Sequence, residues 1–411
     1  MTGAPRIRPR LIAVCAAAAA LSASAAAPAA GSASPPSLSS TAAIVIDARS
    51  GAVLFSQHGN SRRAIASTTK LMTARLALQR AKPTDEFTAP AYNAGPAESV
   101  IGLRKGERMT VHDLLRALLL PSANDAAWDL AYNIGGSSVS SFVREMNREA
   151  VRLRLRHTHY ENPIGLDDPD NYSTAHDLAR LAALDMRNPA FARIVDKTHA
   201  TLRSGSHVRT VINRNDLVEH YRYVDGVKTG HTQQAGYVLV GAAHRSDVNV
   251  ISVVLGEPSV AKRDSDSLAL LRWGLRQYHR VGVFQARRAL VSVPIHQHSG
   301  RAPLVPARSL SLTVRRGVPV HVRPLPPAEL KGPLPAGRRV GRVQVMVGDR
   351  VASTVPLVTA TSVPGPSFVR RFESALRDVL ITLVVLFVLL AGTLVALRVR
   401  VVRRQRARSA R

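Results

Sequence analysis

Apolar and polar positions alternate along "TAAIVIDARSGAVLFSQ", Thr41 to Gln57, with a break at Asp47 to Gly51. A period of two interrupted by turn residues predicts two strands joined by that turn. The period then lengthens. Helical spacing predicts an amphipathic helix from Ser67 to about Arg80. A second is predicted over "TVHDLLRALLL", where Thr110 and Asp113 form a capping-box pattern. More helices are predicted at Asn124 to Ile134, Ser138 to Leu155 and Ser173 to Met186, around a turn-rich loop, "NPIGLDDPDN". After Phe191 the pattern returns to strands in "HATLRS", "SHVRTVIN", "VDGVKTG", "GYVLVGAAH" and "VNVISVVLG". One more helix follows from about Lys262 to Tyr278. A helical block between two sets of strands predicts an α+β domain. Its opening hairpin joins the later strands in one antiparallel sheet, with the helices on the faces.

Beyond Val281 only short alternating runs remain, separated by Pro and Gly, and they predict a small β domain with a hairpin at Gly348-Asp349. "TATSVPGPS" reads as a linker and "FVRRFESALRD" as an amphipathic lead-in. The uncharged run Val379 to Leu397 comes close to the roughly 20 residues that cross a bilayer. The arginine-rich tail after it places the C-terminus in the cytoplasm by the positive-inside rule. At the other end, a basic start, "LIAVCAAAAALSA" and an A-x-A site such as Ala23-Ser24-Ala25 form a secretory signal. The expected organisation is a signal peptide over 1–30, a main domain over 38–280 and a small β-rich domain over 281–357. A linker and lead-in follow over 358–378, then a transmembrane helix over 379–397 and a basic cytoplasmic tail over 398–411.

Charge narrows the partners. The 411 residues carry 56 Lys and Arg against 28 Asp and Glu, a formal charge of +28. Such an excess suits nucleic acid, an anionic membrane or an anionic polymer. Many surplus arginines lie at the two ends, with no zinc-finger spacing or RNA-binding aromatic signature between them, so no nucleic-acid partner is expected. Cys15, the only cysteine, falls in the signal, and Val14 before it is not the small residue a lipid anchor requires. The mature chain would therefore have no disulfide and rely on its core. Fourteen histidines show no zinc-ligand spacing and no H-E-x-x-H occurs, so neither metal nor cofactor is expected. Outside the cell there is no ATP, so any bond-making must use energy already stored in the substrate.

The candidate chemistry begins at "ASTTKL", where Ser67 and Lys70 stand three apart and share a helix face. A serine hydroxyl needs a base, and a lysine can serve only with a lowered pKa, through burial or a second cation. A helix start also offers backbone N–H groups to an oxyanion. Downstream lie Ser122-Ala123-Asn124, on a turn between helices, and Lys228-Thr229-Gly230, at the end of a strand. The order S-x-x-K, S-x-N, K-T-G is that of the penicillin-recognising serine enzymes. Lys228 can supply the second cation and meet a substrate carboxylate. Ser122 can relay a proton to a leaving amine and Asn124 can hold a substrate amide. Gly230 admits a close backbone, and the strand edge suits an extended peptide.

Over Ala42 to Tyr278 the chain resembles the serine-type D-alanyl-D-alanine carboxypeptidases, the low-molecular-mass penicillin-binding proteins. The segments that carry the resemblance include "AIASTTKLMTARLAL", "GLRKGERMTVHDLLRALLLPSANDAA", "ENPIGLDDPDNYSTAHDLARLA" and "DGVKTGHTQQAGYVLVGAA". It implies a β-lactamase/transpeptidase-like domain, with Ser67 as nucleophile, Lys70 as base and Ser122 as proton relay. Asn124 and the segment Lys228, Thr229, Gly230, His231 and Thr232 would bind substrate. The N–H groups of Ser67 and His231 would form the oxyanion hole, and Arg214 would sit near the carboxylate. The implied substrate is the peptidoglycan stem peptide ending in D-Ala-D-Ala, with β-lactams as inhibitors. A DD-endopeptidase, a class A β-lactamase or a non-catalytic wall-binding scaffold are the alternatives. The β-lactamase would need a deacylating glutamate, and Glu161 in "ENPIGL" lacks the accompanying pattern.

Overall fold

Alternating side chains in "GYVLVGAAHR" explain why this strand sits at the heart of the protein. In the computed structural model, which describes residues 34–365 and 367–408, Val238, Val240 and Ala242 face one apolar cluster. Leu239 and Ala243 face another. A strand buried on both faces reads as a nearly continuous apolar run. Short strand pairs and short helices aside, the sheet comprises β1 (Ala42–Asp47), β2 (Val53–Gln57), β3 (Val224–Thr232), β4 (Gly236–Arg245) and β5 (Val248–Glu257). All neighbours are antiparallel, in the order β2-β1-β5-β4-β3. The opening hairpin thus joins the later strands, with β3 at an edge.

Between β2 and β3 lie α1 (Lys70–Arg80), α2 (Val111–Leu119), α3 (Asn124–Ile134), α4 (Val139–Arg152) and α5 (Ala175–Asp185). Thr110 caps α2, its hydroxyl accepting from the N–H of Asp113. On the opposite face of the sheet packs α6 (Val260–Arg276), which contributes Leu270, Leu271 and Trp273. The expectations differ from the structure chiefly at the Ser67 helix and beyond Phe191. The helix expected from Ser67 begins with a 3₁₀ turn, Ala66–Thr69, and becomes α-helical only at Lys70. It is also less amphipathic than its pattern: Leu71, Met72, Ala74, Leu76 and Ala77 are all buried. Its one cation in that stretch after Lys70, Arg75, is matched by Glu149 at 2.7 Å and Asp185 at 2.8 Å, so a polar position faces inward at low cost. Beyond Phe191 the strands begin only at His199, after the helix Pro189–Val195, and the short helix Leu217–His220 interrupts them.

A separate apolar core, with Leu304, Val343, Val345, Val355 and Leu357 at its centre, belongs to the small β-rich domain. A five-stranded antiparallel sheet over Val291–Thr359 and a two-stranded one, Tyr278–Phe284 with Leu310–Arg315, enclose it. Thr313 donates to Asp247 at 2.7 Å, and the N–H of Arg316 donates to the carbonyl of Gln277 at 2.7 Å, joining the two domains. The chain ends in one helix, α7 (Phe368–Arg408), which absorbs both the expected lead-in and the apolar run. Ala375–Arg400 is long and apolar enough to cross a membrane, and none of it is buried against protein. That fits membrane anchoring. The expected signal peptide lies outside the described residues.

Candidate active site

Ser67 lies in the 3₁₀ turn, where residues three apart eclipse one another. Lys70 therefore stands directly over it, with Nζ 2.9 Å from Ser67 Oγ. Two other oxygens complete the lysine's surroundings: Asn124 Oδ1 and the carbonyl of Ile164, each at 2.6 Å. Lys70 is wholly buried, and burial pushes its pKa down to about 7. Arg214 pushes the same way, while Glu98 and Asp125 push against it. A neutral amine has two N–H bonds and one lone pair. Asn124 Oδ1 and the Ile164 carbonyl can only accept, so they take both N–H bonds. The lone pair is left facing the Ser67 hydroxyl. This is the geometry of a general base.

The Ile164 carbonyl comes from the turn-rich loop. Asn162 Oδ1 accepts from the N–H of Gly165 at 2.6 Å and of Leu166 at 3.1 Å, an Asx-type turn that folds the loop on itself. Pro163 offers its carbonyl to Thr73 at 2.7 Å. Gly165 has φ +87°, and a Cβ there would stand 2.0 Å from the Ala66 carbonyl oxygen. Only glycine lets this loop approach the Ser67 turn. Gly230 on β3 meets the same turn from the other side; a Cβ on it would be 2.9 Å from the Ser67 nitrogen. Ala66 and Ser122 hold left-handed backbone, with φ 46° and 69°, strain of the kind that collects at functional sites.

A cavity of about 420 Å³ opens above Ser67. Ser122, Arg214, Thr229, Gly230 and His231 line it, so six sequence-derived residues, Ser67 included, converge there. Ser122 Oγ is buried and has no protein partner, which leaves it for a ligand. Lys228 is buried beneath the wall, its Nζ 2.9 Å from the Thr229 carbonyl. Burial, with Lys70, Arg214 and Arg263 repelling it, holds its amine well below the usual ammonium range. A bound carboxylate would relieve that strain by restoring the charge. His231 stacks on Tyr237 with ring centroids 4.0 Å apart. Asn124 lies between Lys70 and Glu98, one amide N–H spent on Glu98 at 2.7 Å. Thr232 is not on the wall; its hydroxyl accepts from the N–H of Ala235 at 3.1 Å within the hairpin turn.

Sequence reasoning missed three contributors. Arg263, buried at the start of α6 and held by Asp264, lines the cavity beside Arg214. The Ile164 carbonyl and Glu98 complete the surroundings of Lys70 and Asn124. A carbonyl carries no sequence signal, and the acid and the arginine fall in no motif. Glu161, by contrast, is exposed and faces His159, so the loop offers Lys70 a carbonyl rather than a carboxylate. Among the described residues no cluster of His, Cys, Asp and Glu could hold a metal ion.

The model of the D-alanyl-D-alanine carboxypeptidase family matches residues 29–259. The D-alanyl-D-alanine carboxypeptidase DacA of Escherichia coli is 31% identical, over 80% of this chain and 85% of its own length. The solved penicillin binding protein 5 of Haemophilus influenzae superposes with a TM-score of 0.58 at 29% identity, covering 80% of this chain and 98% of its own. A solved Streptomyces DD-transpeptidase superposes with a TM-score of 0.56 at 32% identity. It covers 59% of this chain and 99% of its own.

Proposed function

The chain belongs to the D-alanyl-D-alanine carboxypeptidase family, as a serine-type hydrolase, and we propose that its substrate is the peptidoglycan stem pentapeptide, cleaved through a Ser67 acyl-enzyme. The observation that carries this reading is the pair of obligate acceptors that turn the Lys70 lone pair onto Ser67. As Ser67 attacks the carbonyl of the penultimate D-Ala, its proton passes to Lys70. The backbone N–H groups of Ser67 and His231 receive the oxyanion. Lys70 returns that proton through Ser122, which relays it to the departing amine, and the terminal D-Ala leaves. Water then hydrolyses the ester and frees Ser67.

Lys228, Thr229 and Arg214 bind the terminal carboxylate, with Arg263 behind them, and β3, at the sheet edge, pairs with the extended peptide. β-Lactams acylate the same serine. The last helix spans the membrane, with the catalytic domain outside and the basic tail in the cytoplasm. The basic surface faces anionic wall polymers.

Intact mass after brief exposure to a penicillin is the direct test. One adduct on the parent, absent from Ser67→Ala, is expected; no adduct on folded protein would overturn the reading. Release of D-Ala from a stem pentapeptide, against cleavage of a cross-linked dimer, separates carboxypeptidase from endopeptidase. Protection of the C-terminal tail from protease in sealed, right-side-out cells tests the orientation.

A further inference from the structure

Glu98 sits in none of the motifs, yet the loop carrying it is fastened to the start of α3. The Asn124 N–H donates to the Ser99 carbonyl at 2.7 Å, and the N–H of Leu103 donates to Asp125 at 2.9 Å. From this loop Glu98 reaches inward. Its Oε2 accepts from Asn124 Nδ2 at 2.7 Å and from the hydroxyl of Tyr92, and its Oε1 accepts from the Gly95 N–H at 2.9 Å. Tyr92 is itself braced against Trp128, ring centroids 5.6 Å apart.

The two ends of an asparagine amide are nearly equal in shape and opposite in hydrogen-bonding sense, so their partners decide which way it points. An ionised carboxylate accepts and never donates. Beside Glu98, Asn124 must present Nδ2, which leaves Oδ1 for Lys70 at 2.6 Å. We propose that Glu98 is a positioning residue: by fixing which end of the Asn124 amide meets Lys70, it directs the amine's lone pair onto Ser67. With the amide reversed, Nδ2–H would claim that lone pair. Lys70 would then turn an N–H toward Ser67, and the serine would lose its base. The proposal rests on the reading of Ser67 as nucleophile and Lys70 as base.

Charge gives the proposal a second signature. Lys70 is faced by Glu98 from the loop, Asp125 from α3, Arg214 from the segment before β3 and Lys228 from β3 itself. Burial pushes the Glu98 carboxyl up, but its bonds to Tyr92, Asn124 and Gly95 and the nearby Lys70 outweigh that and hold it below the usual range. It is therefore ionised wherever Lys70 titrates, and its charge opposes the loss of the lysine's proton. Removing the charge lets Lys70 become a base at lower pH.

The test is the pH profile of β-lactam acylation for the full chain in detergent micelles, with Glu98→Gln, Glu98→Leu and Tyr92→Phe beside the parent. Glu98→Gln keeps an acceptor for Asn124 and loses the charge. Its acid limb should move to lower pH, with a plateau within about fivefold of the parent. Glu98→Leu removes the acceptor, and its plateau should fall about tenfold to a hundredfold, the scale of a disturbed general base. Tyr92→Phe should fall between. A purely structural role would lower the thermal midpoint and leave the limb in place, so an unmoved limb in Glu98→Gln overturns the proposal. Lys70→Arg separates the two levels: if it acylates normally, the base reading fails and takes this one with it. If it is inert while every Glu98 profile matches the parent, only the present proposal fails.

Discussion

The catalytic domain and the small β-rich domain treat charge in opposite ways. Between Val281 and Gly365 there are twelve Lys and Arg and only two Asp and Glu, yet the one buried polar side chain among the described residues there is Thr359. In the catalytic domain Lys70, Lys228, Glu107, Asp113, Asp185 and Arg209 all lie inside. A charge in water is hydrated and salt-screened, so it shapes a field and little else. A charge taken out of water must be paired or must shift its pKa. The catalytic domain uses both outcomes. Glu107 is paired with Arg209 at 2.8 Å, while Lys70 has no carboxylate in contact and has its pKa lowered to about 7.

The sharpest way to break this contrast is to make the Lys70 charge permanent. Arginine cannot give up its proton near neutral pH, so Lys70→Arg should slow penicillin acylation about a thousandfold or more. With the neutral Lys70 amine as the proposed base, acylation by the parent should rise with pH through about 7, where Lys70 loses its proton. A flat profile between pH 5 and 9 would contradict the assignment.

Breaking the buried pair should show as stability rather than rate. Glu107→Ala leaves the Arg209 guanidinium unpaired and should cost about 3–5 kcal/mol in denaturant unfolding. Burial pushes the Glu107 carboxyl up, but Arg209 and the bonds from Ser206 and Arg104 outweigh it and hold it at about 2. A depressed carboxylate stabilises the fold above its unfolded pKa and loses that contribution as pH falls toward 2. The parent should therefore weaken between about pH 4.5 and 2 by a component that Glu107→Ala lacks. Gly165→Ala should act on both measures. With φ +87° and the Ala66 carbonyl in the way, it should destabilise by about 1–3 kcal/mol and slow acylation by displacing the Ser67 turn. In the β-rich domain, replacing Arg323, Arg339 and Arg342 by Gln should change stability by about 0.5 kcal/mol or less per site. The same variant should weaken adhesion to anionic wall polymer at low salt, with the difference vanishing at high salt. A large loss of stability there would erase the contrast between the domains.

Several particulars were legible in the chain itself. The strands of the sheet, the cap at Thr110, the span of α3 and the order of the three motifs follow from local pattern, because periodicity and capping act over a few residues. The helix at Ser67 was legible in position but not in form. The 3₁₀ turn that places Lys70 over Ser67 is pinned by Gly165 and Gly230, both distant in the chain. Likewise α1 carries an amphipathic pattern yet is buried nearly all round, because α5 and α4 supply the acids that match Arg75.

The sequence by itself determined which elements form, which residues are able to do chemistry, and that one helix is apolar enough to enter a membrane. Tertiary structure decided what those residues become. Lys70 turns from an ordinary cation into an amine able to lose its proton near neutral pH, because the fold removes water from it and meets it with the Ile164 carbonyl, 94 residues further along the chain. Arg263 joins the cavity because α6 closes the far face of the sheet, and Glu98 reaches Asn124 because its loop is fastened to α3. Desolvation and hydrogen-bond direction depend on atoms brought together from remote parts of the chain, and a local pattern carries no record of either.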